Sequence, residues 1–114
     1  MAYRIVNMAE DPRSGQFAYF RAMADPWAGI TVEVDITEFH AALNGRPFFL
    51  SFLYALARAA NAVSELRRRL LDGQVVEFDR CCPSYTAMKD SGVYVYCLVD
   101  SGLLPYEDFL ADGK

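Results

Sequence analysis

Histidine is nearly missing from this sequence: His40 is the only one in 114 residues. With no second imidazole nearby and no metal-ligand spacing around it, His40 reads as a structural residue rather than a ligand or a base. Cysteine is sparse too. Cys81 and Cys82 are adjacent and Cys97 sits in an apolar run, a pattern that fits neither a metal site nor a disulfide framework. Reduced thiols in a cytoplasmic protein are the expectation. Gly15, Gly29, Gly45, Gly73 and Gly92 stand singly, so no Gly-rich loop is present to cradle phosphate. No Ser sits in a nucleophile elbow. Basic residues number 11 against 15 acidic ones, and a net charge of −4 argues against a nucleic-acid partner. Arg58 interrupts the best apolar run, so no membrane span is expected. The segment from Met1 to Asn7 lacks the apolar core of a signal peptide. Composition and spacing alone describe one mixed domain without a catalytic set or a metal site.

Aromatic side chains, in contrast, are abundant. Eight Phe, seven Tyr and one Trp share a chain that is 54% hydrophobic. A domain this small is unable to bury them all, so some are expected to line a pocket or a partner surface. The organising stretch runs from Pro47 to Asp79. Pro47 suits a first helical position, where a missing N–H costs nothing. Phe48, Phe49, Phe52, Leu53, Leu56, Ala60 and Val63 follow at helical spacing, and Leu50, Tyr54, Ala55 and Ala57 fill most of the remainder. A helix apolar nearly all round is expected to be buried, with a sheet packed on it. Arg58 and Asn61 are its strongly polar interruptions. Two extended runs then flank Asp72-Gly73, a dipeptide suited to a type I′ turn, which predicts a hairpin over 66–79. The competing reading continues the helix through Arg69 with Gly73 as its C-cap. On either reading Arg67, Arg68 and Arg69 form a solvated charged face.

The other elements follow from local signals. Tyr3 to Val6 reads as an edge strand. Ser14 or Asp11 suits the cap of a helix over about Gln16 to Met23, ended by Asp25-Pro26. Ile30 to Thr37 alternates β-branched and polar residues and is the clearest strand. A short helix starts at Thr37 and ends at Asn44-Gly45. Ser84–Met88 and Val93–Val99 read as two strands joined across Lys89–Gly92. A further helix begins near Pro105. The class is α/β or α+β, with a mixed β-sheet packed against a buried helix. The chain stops soon after that last helix begins, which suggests a partial domain spanning residues 1–114.

Several short motifs occur in one order. They are Arg13-x3-Phe17-x-Tyr19-Phe20, the Ile30–Thr37 strand ending in Asp-x-Thr, the Phe48–Asn61 helix followed by Glu65-Leu66-Arg67, Asp72-Gly73-x-Val75-Val76-x-Phe78-Asp79, and Pro83-Ser84-Tyr85-Thr86. Each alone is weak. Together they resemble the N-terminal half of the chloramphenicol acetyltransferase family. The resemblance implies that family's two-layer sandwich, here incomplete. It implies acyl transfer from acetyl-CoA, as co-substrate, to a hydroxyl of a small acceptor, with no permanently bound cofactor. It implies a homotrimer with active sites between subunits. The family's general base is a His in a His-His-x3-Asp-Gly motif, which this sequence does not contain, so no catalytic residue is assigned here. His40 does not match that position.

Carried over by position, Arg13 would pair with the motif's Asp and so orient the His. Tyr19 and Phe20 would line the acceptor pocket, with Ala24, Thr86 and Tyr94 as further wall positions. Tyr94 requires a one-residue gap in the preceding loop. Gln16 stands where the family often has His. Ala24 and Pro26 depart from the family's pocket wall, which leaves the acceptor's identity open. An acyl-transfer site without its base forfeits about 10²–10⁴-fold in rate. Read without the family pattern, Tyr19 and Phe20 are core aromatics, Arg13 is a solvated charge, and Tyr94 belongs to an ordinary strand face. The alternative function is a non-catalytic binding or assembly protein that uses the surplus aromatic surface; a decayed gene product is a third.

Overall fold

A computed structural model describes residues 1–98 and 104–113. Four helices and five strands are formed among them. The strands are β1 (Tyr3–Ile5), β2 (Arg68–Leu71), β3 (Gln74–Phe78), β4 (Ser84–Met88) and β5 (Tyr94–Leu98). The helices are α1 (Ser14–Arg21), α2 (Thr37–Ala41), α3 (Phe48–Ala62) and α4 (Tyr106–Gly113). The class is α+β. The expected mixed sheet is replaced by two antiparallel ones, a three-stranded sheet in the order β1-β3-β2 and a two-stranded β4-β5 sheet.

The hairpin forms where Asp72-Gly73 places it. Asp72 (φ 51°) and Gly73 (φ 78°) both adopt positive φ, the requirement of a type I′ turn. The rival helix ends at Ala62, and Ser64–Arg67 make a single 3₁₀ turn into β2. β3 is the central strand. Val76 on it is 1% exposed, with Ile5 and Arg69 as its neighbours across the two ladders. One rung is ionic: Glu77 stands between Arg4 and Arg68 in register, taking Arg4 Nε at 3.1 Å and Arg68 Nε at 3.4 Å. Arg68 also donates to Asp11 Oδ2 at 3.1 Å. Arg67 donates to the Phe78 carbonyl at 2.6 Å. The expected solvated face of three arginines is therefore confined to Arg69. Pairing with carboxylates and carbonyls distant in sequence draws the other two inward.

Helix α3 is not buried all round. Leu50, Ser51, Leu53 and Ala57 form a covered stripe. Leu50 and Leu53 join Phe109 and Leu110 of α4 in the main core, flanked by Tyr54, Tyr85 and Tyr106. Phe48, Phe49, Phe52 and Leu56, on other faces of α3, are 43–54% exposed. Covering a helix on several sides takes more neighbours than α4 and the β4-β5 sheet supply. Its polar interruptions are clasps. Asn61 Nδ2 donates to the Cys81 carbonyl at 3.0 Å while its Oδ1 accepts from Cys81 N at 2.9 Å, tying the helix end to the passage into β4. Arg58 Nη2 donates to the Leu104 carbonyl at 2.9 Å.

The Ile30–Thr37 strand is the largest departure. Residues 26–36 form no ladder, and α2 begins at Thr37. Ile30, Val32 and Val34 are 88%, 68% and 71% exposed. Alternation prescribes an extended backbone, but a strand also needs a partner edge, and no described residue provides one. The run ends in a local turn: Asp35 Oδ1 accepts from Thr37 N at 2.9 Å and from its hydroxyl at 2.6 Å. These bonds, the hydroxyl first, hold the Asp35 carboxyl below its usual range. Asn44 (φ 50°) and Gly45 (φ 82°) then turn the chain after α2 as expected. Strand β5 ends at Leu98; Val99 lies outside the described residues. The radius of gyration is 17.5 Å, where a compact domain of this length has about 13 Å. Much apolar surface is left outside the core.

Candidate functional site

A groove of about 600 Å³ runs between α1 and the β2–β3 hairpin. Its floor is apolar, built from Phe17, Phe20, Leu70 and Val75, and charged side chains rim it. Asp11 forms an Asx turn whose Oδ1 accepts from Arg13 N at 2.8 Å and so sets the start of α1. Arg13 is the N-cap residue, and its side chain makes no cap bond. Its guanidinium reaches across the groove instead. Arg13 Nη1 donates to Glu65 Oε1 at 2.5 Å, linking residues 52 apart in the chain.

The rim's two carboxylates are both paired with arginines. The Arg13 hydrogen bond is the first cause that holds the Glu65 carboxyl at about 2, from an ordinary 4.5. The Arg13 backbone N–H, then Arg68, hold Asp11 low. Arg4, first among its partners, holds Glu77 low. The Arg13–Glu65 pair is largely open to water, so it is screened and contributes little to stability at high salt. Its pH signature is definite. A carboxyl whose folded pKa is depressed stabilises the fold above its unfolded pKa, and that stability is lost as pH falls toward the folded value. Wild-type protein is expected to lose more thermal stability between pH 4.5 and about 2 than Glu65→Gln does. Paired melting curves over that interval read the difference; parallel curves would show the pair absent in solution.

Two of the residues carried over from the sequence, Arg13 and Phe20, meet on this groove. Tyr19 does not line it. One residue along α1 is a rotation of about 100°, and Tyr19 is 66% exposed, touching Phe20 edge-on at 5.5 Å between ring centroids. With Phe20 at 50% exposure, neither ring is a core aromatic. Ala24 follows α1 and is exposed. Thr86 and Tyr94 belong to the β4-β5 sheet, away from the groove. Thr86 pairs with Tyr96 and Met88 with Tyr94, on the sheet's exposed face. The opposite face, with Tyr85, Ala87, Val95 and Cys97, turns toward α3 through a Phe49–Tyr85 ring contact at 5.1 Å. Burial there pushes the Tyr85 hydroxyl pKa up. His40 lies 6.4 Å from the Phe48 ring, on α2, and does not line the groove. No cluster of His, Cys, Asp or Glu suited to a metal occurs among the described residues.

Sequence reasoning passed over Asp11, Glu65 and Arg68 as groove residues. Glu65 was quotable in a motif, but nothing local in the sequence pairs it with Arg13. The groove holds the guanidiniums of Arg13, Arg68 and Arg69 and the carboxylates of Asp11 and Glu65 above an apolar floor suited to rings. Both carboxylates are tied to arginines, Glu65 to Arg13 and Asp11 to Arg68.

Comparison with known proteins places this geometry. A family model described as "Chloramphenicol acetyltransferase" matches residues 1–109. The chain belongs to the chloramphenicol acetyltransferase family. Curated family members from Klebsiella sp. and Escherichia coli are each 32% identical over 90 residues, covering 77% of this chain and 41% of the relative. One from Proteus mirabilis is 29% identical over 83 residues. A solved chloramphenicol acetyltransferase structure superposes with a TM-score of 0.83 at 29% identity, over 97% of this chain and 53% of that one. The chain thus spans about two fifths of the length of the curated relatives it matches and about half of the solved chain. No helix among the described residues is long and apolar enough to cross a membrane.

Proposed function

We propose that this chain is a partial domain supplying the orienting arginine and the acceptor-side walls of an acetyl-CoA-dependent O-acyltransferase. Its family match over residues 1–109 carries this reading, supported by the meeting of Arg13 and Phe20 on one groove. The acceptor is a small molecule bearing a hydroxyl, and acetyl-CoA is a co-substrate rather than a resident cofactor. The base removes the acceptor's hydroxyl proton, the oxygen attacks the thioester carbonyl, and the C–S bond breaks to release the CoA thiol. That base comes from a His-His-x3-Asp-Gly segment outside this chain. Arg13 holds the segment's Asp; Tyr19, Phe20, Ala24, Thr86 and Tyr94 form the wall. A trimer in the cytoplasm, conferring antibiotic resistance, completes the reading.

The exposed rings favour one other reading. Tyr96 at 88% and Trp27 at 89% exposure are surfaces suited to a non-catalytic binding or assembly protein derived from this fold. An acetyl-transfer assay separates the two. With acetyl-CoA and chloramphenicol, or a panel of small hydroxyl acceptors, the chain by itself is expected to give no turnover. Co-expression with a chain carrying the His-His-x3-Asp-Gly half of the family pattern is expected to give turnover. An assembled pair that stays inert toward every acceptor would leave the binding-protein reading standing.

A further inference from the structure

We infer that Cys81 and Cys82 form a binding site for trivalent arsenicals bearing one organic substituent, the arsenic closing a ring with the two neighbouring sulfurs. The inference is independent of the acyltransferase reading. It uses a pair of thiols that the groove leaves idle. Neither cysteine is in a disulfide, and both are half-buried in the passage from β3 to β4. That passage is held from two sides. Asn61, near the end of α3, accepts from Cys81 N at 2.9 Å and donates to the Cys81 carbonyl at 3.0 Å. This carbonyl belongs to the peptide group between the two cysteines, so the clasp fixes the unit that links the thiols. The same Asn61 Nδ2 donates to the Ala57 carbonyl at 2.8 Å, which seats the clasp on the helix. On the other side, Pro83 steers Cys82 away from helical backbone.

Several partners compete for two adjacent thiols, and the backbone discriminates among them. The first is a bond between the thiols themselves. Residues joined by a trans peptide have Cα atoms about 3.8 Å apart, short of the roughly 4.4–6.8 Å of an ordinary disulfide. The described peptides are all trans. Closing that bond requires the linking peptide to turn, against the Asn61 clasp. The second is a tetrahedral ion such as zinc, which takes four ligands. Among the described residues no group of three His, Cys, Asp or Glu is placed to hold a metal. A linear two-coordinate ion needs its sulfurs on opposite sides, a span that neighbours on one held peptide reach poorly. A monosubstituted trivalent arsenical asks for two sulfurs on one side and brings its own third ligand. An inserted arsenic also lengthens the sulfur–sulfur span, so the ring closes without turning the peptide. With an aryl arsenoxide the step balances without an oxidant. Two S–H bonds and the arsenic–oxygen bond break, two As–S bonds form, and both protons leave with the oxygen as one water. Arsenic stays trivalent.

The test adds phenylarsine oxide to the full, reduced chain and reads the product by intact mass and peptide mapping. The expected result is one adduct per chain, spanning Cys81 and Cys82, that survives excess glutathione and is removed by dimercaptopropanol. Cys81→Ser and Cys82→Ser are each expected to lose about 10²–10⁴-fold in retention against glutathione, because a single thiol forfeits the intramolecular second bond. Cys97→Ser is expected to retain the adduct. Circular dichroism checks the fold of each variant, and Cys82→Ser leaves the clasped residue intact should Cys81→Ser unfold. The clasp has its own readout. The chain unfolded in urea keeps both thiols and loses the hold of Asn61, so it is expected to yield the adduct to glutathione about tenfold more readily. An adduct that requires Cys97, one that glutathione strips from the folded chain, or equal retention by folded and unfolded chain overturns the inference. So does a Cys81–Cys82 disulfide formed in the folded chain without added oxidant.

Discussion

Truncating Leu53 to alanine is expected to destabilise the chain by about 2–5 kcal/mol, whereas Leu56→Ala costs under about 1 kcal/mol. The two residues share a helix and a side chain, so helix propensity cancels between them. They differ in cover. Leu53 is 8% exposed and packs in a cluster with Leu50, Phe109 and Leu110. Leu56 is 54% exposed. Removing a buried isobutyl group forfeits its transfer energy and leaves a cavity; removing an open one forfeits part of the first term and none of the second. Urea titrations followed by circular dichroism at 222 nm measure both. Equal losses would mean that α3 is enclosed on both stripes. A small domain has only about 5–15 kcal/mol in total, so the Leu53 variant is expected to release α4 from α3 even where the hairpin survives.

On the proposed acyltransferase reading, replacing Arg13 by alanine is expected to lower turnover of the assembled enzyme by about 10²-fold, the scale of misplacing a catalytic group by about 1 Å. Arg13→Lys is expected to recover only part of this, because an ammonium lacks the planar fork that holds two carboxylates at once. Glu65 already takes one edge through Nη1, and Asp11 adds a through-space attraction. On the proposed reading, in which Arg13 positions the base and the rings hold the acceptor, the effect belongs in kcat, with the acceptor KM nearly unchanged. A loss confined to KM would make Arg13 a wall residue. Glu65→Gln serves as the companion variant: it keeps a hydrogen-bond acceptor for Arg13 and removes the charge.

The features legible in the sequence were those fixed by neighbours in the chain. Asp72-Gly73 dictates its turn through backbone sterics at two residues, and the hairpin formed as expected. Asn44-Gly45 did the same after α2. Alternation at Ile30–Thr37 prescribed extension, but a ladder is a relation between two segments, and among the described residues no second one meets it. The all-round apolar composition of α3 described what the helix is able to bury, not what covers it. Arg68 read as solvated because its partner Asp11 is 57 positions away. The same distance problem hid Glu65 behind Arg13. In the groove, helical geometry separates these residues: Arg13 and Phe20 lie on the side of α1 that faces the hairpin, and Tyr19 turns off it. The family motifs supplied Thr86 and Tyr94, which no local pattern would have brought together with α1 and which lie on a separate sheet.

The three-stranded sheet also sets an order of events. Its β2–β3 hairpin closes across two residues, a contact that chains find within about 1–10 μs. Strand β1 must then be captured on the far edge of β3, where Tyr3 meets Phe78 and Ala2 accepts from Asp79 N at 2.9 Å. That closes a loop of most of the chain, and long loops are slow to close. During synthesis residues 3–5 therefore wait, unpaired, until the hairpin has emerged to receive them.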